Sequence, residues 1–150
     1  MLDPCGLVSI DRDGTDLLAE QTFSTSGVSR HSFTARDGLP DGVEVQLSRS
    51  RRHFHVTACD NAGTHGLVEQ TSRIMQAVEQ SLVRSGLGFH DVRKATTYYI
   101  SGSSAEELHD NMAVRNAYYS RPGPASTGLP VKGFPNADAL ISVKLMGCLG

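Results

Sequence analysis

The segment from Gln70 to Lys94 constrains the fold more than any other part of the chain. Thr71, Ile74, Met75, Val78 and Leu82 recur at steps of three and four residues, which lines one face of a helix with side chains that favour burial. The spacing predicts a helix from about Leu67 to Arg84. Gly86 then offers the left-handed conformation that ends helices, because it has no Cβ to clash there. A short turn through Phe89 leads to Val92–Ile100, whose Thr, Tyr and Val residues suit a central strand. A helix with one apolar stripe next to a strand of this kind calls for a layer of helix on a layer of sheet.

The flanking sequence supplies the rest of those layers. Val43–Leu47 alternates apolar and polar residues, and His53–Ala58 resumes the alternation after a charged Ser48–Arg52 turn, which predicts a hairpin. Ser103-Ser104-Ala105-Glu106 carries the spacing of a capping box, so a second helix is expected over about 104–120, ended by Pro122 and Pro124. Thr127–Val131 and Ala139–Met146 complete the set as strands. In the last one, Ile141, Val143 and Leu145 would face the helices, while Leu140, Ser142, Lys144 and Met146 would face away. The resulting order, strand-strand-helix-strand-helix-strand-strand, is that of an α+β domain with a single mixed sheet and both helices on one face. A second sheet face of mixed polarity, with no element left to cover it, argues for oligomerisation. Residues 1–40 are polar and turn-rich, with short strands expected at Leu7–Ile10 and His31–Thr34. They read as an N-terminal extension, a strand hairpin or an arm, ahead of a domain over 41–150.

Composition removes several classes of function. The 150 residues carry a formal net charge of -2, which provides no basic field for nucleic acid. The cluster Arg49, Arg51, Arg52 and His53 reads as a solvated turn. Three cysteines without ligand spacing indicate neither a disulfide framework nor a zinc site. His53 and His55 share one strand face, but no third ligand lies nearby in sequence, so no metal and no cofactor are expected. The first residues lack the charged start and apolar run of a secretory signal, and no stretch approaches the roughly 20 apolar residues that span a bilayer. A cytoplasmic setting with no membrane partner is the expectation.

Several motifs resemble the YjgF/RidA (reactive intermediate deaminase) family over roughly Gly42 to Met146. Gln70-Thr71, Gly86, Phe89, Asp91-Val92 and Lys94 match its signature segment without gaps. Gly42-Val43-Glu44-Val45-Gln46 and Val56-Thr57-Ala58-Cys59 are similar to its Gly-Pro-Tyr-Ser-Gln and Val-Ser-Gly-Gln motifs at matching separation. Leu108, Asn111-Met112 and Tyr118-Tyr119 resemble its second helix. Pro124-Ala125-Ser126-Thr127 resembles Pro-Ala-Arg-Ser/Thr, and Ala139-Leu140-Ile141-Ser142-Val143-Lys144 resembles Ala-Leu-Val-Glu-Ile-Glu. The resemblance implies a chorismate-mutase-like, YjgF-type sheet that assembles as a homotrimer, with small-molecule sites in clefts between subunits.

The departures from that pattern fall on the residues that do the family's chemistry. In its imine deaminases an arginine after Pro-Ala clamps the substrate carboxylate, and a glutamate on the last strand helps position water. Ser126 and Ser142 stand there in this chain, and Glu44 replaces the tyrosine of the first motif. A serine supplies neither the charge of the clamp nor a useful base. The reading that follows is a divergent enzyme that hydrolyses, or eliminates from, a small carbonyl, enamine or imine compound in the intersubunit cleft, with a biosynthetic pathway as one setting for it. Glu44 would act as the acid or base. Thr57, Ala58, Cys59, Ser126, Thr127, Ser142 and Lys144 would bind substrate. Two alternatives stand beside it: a non-catalytic member that binds a metabolite or a partner, and a 2-imino acid deaminase whose clamp is rebuilt from Lys144 or Arg115.

Overall fold

The computed structural model describes residues 27–149; the strand expected at Leu7–Ile10 lies outside them. The elements are β1 (Ser29–Phe33), β2 (Val43–Arg49), β3 (His53–Asp60), α1 (Leu67–Arg84), β4 (Val92–Ile100), α2 (Ala105–Asn116), β5 (Ala125–Val131) and β6 (Ile141–Cys148). All six strands form one sheet in the order β1-β2-β3-β6-β4-β5. Only β4 and β5 pair in parallel; the other neighbours are antiparallel, so the sheet is mixed as expected. The parallel pair is the one joined through a helix, which is what a parallel crossover requires.

The expected stripe of α1 is its buried face. Thr71, Ile74, Met75, Val78 and Leu82 are all fully buried, with Leu67, Gln70, Ala77 and Ser81 beside them. They meet Val43, Val45, Leu47, Phe54, Val56, Ala58, Ile141, Val143 and Leu145 from the sheet in one core. Each such large aliphatic side chain contributes about 2 kcal/mol on removal from water. The helix ends where glycine allows it. Gly86 has φ 74°, its N–H bonds the carbonyl of Val83, and that of Leu87 bonds Leu82. These are the two hydrogen bonds of a Schellman stop.

The second helix differs from expectation at both ends. The capping box is formed by Ser104 and Glu107, one residue later than the Ser103/Glu106 pair. The Ser103 hydroxyl instead donates to the Ile100 carbonyl at 2.8 Å, closing the end of β4. The helix stops at Asn116 rather than near Ser120, because Tyr118 and Tyr119 leave it to pack on Phe89, with ring centroids 5.4 and 5.7 Å away. β1 begins two residues before the expected strand and adds to the outer edge of β2.

Candidate functional site

Side chains alternate between the two faces of a strand, so register decides which candidate residues meet. Glu44 on β2 lies opposite Cys59 on β3, Cys59 opposite Ser142 on β6, and Ser142 opposite Tyr98 on β4. This row crosses the face away from the helices. The adjacent row on the same face is Gln46, Thr57, Lys144, Thr96 and Thr127. Directly opposed residues have Cβ atoms about 5 Å apart and diagonal neighbours about 7 Å apart. Glu44, Cys59, Thr57, Ser142 and Lys144 therefore occupy one patch a small metabolite can span. Thr127 sits at its outer end on the exposed edge strand β5.

Within this patch the polar groups are unevenly satisfied. Glu44 is half-buried, and its Oε2 accepts a hydrogen bond of 2.9 Å from Asn61 Nδ2. Asn61 Oδ1 and Ser142 Oγ are buried and have no hydrogen-bond partner. Cys59 is a free thiol with no exposed surface, and Ser142 is equally buried, so a ligand reaches either only after neighbouring side chains move. Asn61 is a residue that sequence reasoning missed. It sits 17 positions from Glu44 in a loop, and only closure of the β2–β3 pair brings the two together. The strand-end geometry is held by Gly42, whose φ of 83° suits glycine and where a Cβ would lie 2.6 Å from that of Ala62. Asp60 next to it is fully buried and pairs with Arg73 at 2.7 Å.

Two candidate residues face the other way. Ala58 points into the core between β2 and β6, with no exposed surface. Ser126 pairs with the core residue Ala95, so it faces the helix side while its neighbour Thr127 does not. Arg115 also lies off this patch. It is on α2, 7% exposed, with its Nε donating to Asn111 Oδ1 at 2.8 Å. Burial pushes its guanidinium down from the ordinary value, while the nearby Tyr119 acts in the opposite sense. Lys144 thus shares the face of Glu44, and Arg115 does not.

A separate open groove of about 440 Å³ is lined by Gly27, Val28, Ser50, Arg51, Arg52 and His53. It lies at the β2–β3 turn, about 20 Å along β2 from Glu44 at strand rise, and shares none of the patch residues. Among the described residues no group of three His, Cys, Asp or Glu side chains is disposed to hold a metal ion. Among the described residues no helix is long and apolar enough to cross a membrane.

No family model and no curated protein matches the sequence. Solved structures do match. A member of the YjgF/YER057c/UK114 family from Mycobacterium tuberculosis aligns over 81% of this chain and 100% of its own, with 14% identity and a TM-score of 0.60. RidA from the Antarctic bacterium Psychrobacter sp. aligns over 69% of this chain and 85% of its own, with 14% identity and a TM-score of 0.58. An uncharacterised Pseudomonas aeruginosa protein aligns over 82% and 99%, with 9% identity and a TM-score of 0.63. Likeness at such low identity is likeness of architecture, and it agrees with the motif resemblance on the same answer: this chain is built on the YjgF/RidA fold.

Proposed function

We propose that this chain is a divergent YjgF/RidA family enzyme that acts on a small carbonyl, enamine or imine compound at the Glu44 patch. The observation that carries the reading is the row of Glu44, Cys59 and Ser142, flanked by Thr57 and Lys144 on the same face. A carboxylate there accepts a proton from water as it adds to a C=N or C=O carbon, or removes one beside such a group in an elimination. The Lys144 ammonium attracts the developing or resident negative charge of the substrate. In this reading Thr57 donates a hydrogen bond to the substrate, and the buried, unpartnered Ser142 hydroxyl does so once neighbouring side chains move aside. Thr127 and Cys59 complete the proposed binding set, with Ser126 and Ala58, whose side chains face the helices, taking part only through backbone groups. No cofactor is invoked.

Assembly belongs to the same reading. A homotrimer would place neighbouring subunits over the face that no described helix or strand covers, and would enclose the patch in a cleft. A reduced, cytoplasmic setting suits the free thiols of Cys59 and Cys148. The residues from 41 onward form the proposed catalytic domain, with residues 1–40 as its extension.

The test is a turnover screen of the full chain against small imines generated by an amino-acid oxidase, and against enamines and enol ethers, with Glu44→Gln as the comparison. Turnover by the wild-type chain that falls about a hundredfold or more in the variant supports the assignment. Equal turnover by both removes Glu44 from the chemistry. Saturable binding of a compound without any conversion would favour a non-catalytic, metabolite-binding role.

A further inference from the structure

Helix α2 turns a polar surface inward. Its two buried residues are Asn111, 1% exposed, and Arg115, 7% exposed. They stand one turn apart and are joined by the buried hydrogen bond from Nε to Oδ1. Among the described residues no carboxylate pairs with this guanidinium; the ion pairs there are His65–Glu69, Arg73–Asp60 and His90–Asp91. Arginine does not shed its charge in proteins, and its two terminal nitrogens make no hydrogen bond with a described residue. Beside it the Tyr119 hydroxyl is buried and has no hydrogen-bond partner, while its ring is fixed edge-on against Phe89. A guanidinium without a carboxylate partner, beside an unpartnered phenol hydroxyl, is a donor set that suits an oxyanion.

We propose that Arg115 and Tyr119 form a binding site for a small oxyanion, a carboxylate or a phosphate, on the helix side of the sheet. Asn111 occupies the Nε of Arg115 and so holds the plane of the guanidinium, acting as a positioning residue. The two terminal nitrogens are left to meet two oxygens of one anion in the planar, two-pronged geometry that arginine favours. The Tyr119 hydroxyl donates a further hydrogen bond. This site goes beyond the Glu44 patch, which lies on the opposite face of the sheet, and neither proposal depends on the other.

Thermal unfolding of the full chain in sodium acetate or sodium phosphate, each matched against sodium chloride at equal ionic strength, tests it. A saturable rise of a few degrees in the wild-type chain is expected with at least one of the two, since ligands that bind only the folded state raise its stability. The two arms separate a carboxylate site from a phosphate site. The rise should vanish in Arg115→Met and weaken in Tyr119→Phe. A wild-type response equal to that in chloride, or an undiminished response in Arg115→Met, overturns the proposal. If Arg115→Met does not fold, the side-chain Nε–H NMR signal of Arg115, assigned by its loss in Arg115→Lys, decides. A saturable displacement of that signal with the anion supports the site, and a signal that stays in place overturns it.

Discussion

At the scale of single residues, the sheet register separates the roles that the sequence pattern left together. Glu44 and Lys144 share a face, while Arg115, the other candidate for a rebuilt carboxylate clamp, stands behind the sheet with Tyr119. Tyr119 also makes a prediction in alkali. Burial pushes its phenol above the ordinary value of 10.0, with Arg115 pulling the other way. The unfolded chain therefore releases this proton first as pH rises past about 10, the unfolded state gains, and stability falls from there through the raised value. Denaturant unfolding of the wild type and Tyr119→Phe between pH 9 and 11 should show the steeper loss in the wild type. Equal slopes would mean that Tyr119 ionises alike in both states.

At the scale of elements, Gln70 ties the first helix to the last strand. Its Nε2 donates to the carbonyls of His65 and Asp138 at 3.0 and 2.8 Å, and its Oε1 accepts from the Leu140 N–H at 2.9 Å. The side chain has no exposed surface. Gln70→Leu keeps the volume but strands those backbone groups, and each buried unpaired group costs about 1–3 kcal/mol. A loss of about 3 kcal/mol in chemical denaturation is expected; a loss below about 1 kcal/mol would show that the two segments hold without it. The strands and the first helix were legible in the sequence because period-two and three-to-four-residue patterns report burial directly. The box at Ser104 was misplaced by one residue because Ser103 and Ser104 are chemically alike, and only the end of β4 decides which hydroxyl caps. Tyr118 and Tyr119 leave the helix for a tertiary reason, their packing on Phe89, which no local signal carries. The same limit hid Asn61, whose link to Glu44 exists only once the hairpin has closed. Ser126 and Thr127 read as one pair of site residues in sequence, yet strand alternation sends them to opposite faces.

At the scale of the whole molecule, the fold leaves one sheet face without a described helix or strand over it, and that face carries the Glu44 patch. Assembly and activity are therefore expected to go together. Sedimentation should give about three times the chain mass of 16.1 kDa, and a monomer at tens of micromolar would contradict the trimer. The proposed chemistry stands on a single carboxylate placed in that face by the fold. Its most direct test is the steady-state kcat of the wild type against Glu44→Gln on one substrate, with both proteins shown by sedimentation to have the same mass. The expected result is a fall of about a hundredfold or more with assembly unchanged; a kcat equal to that of the wild type would contradict it.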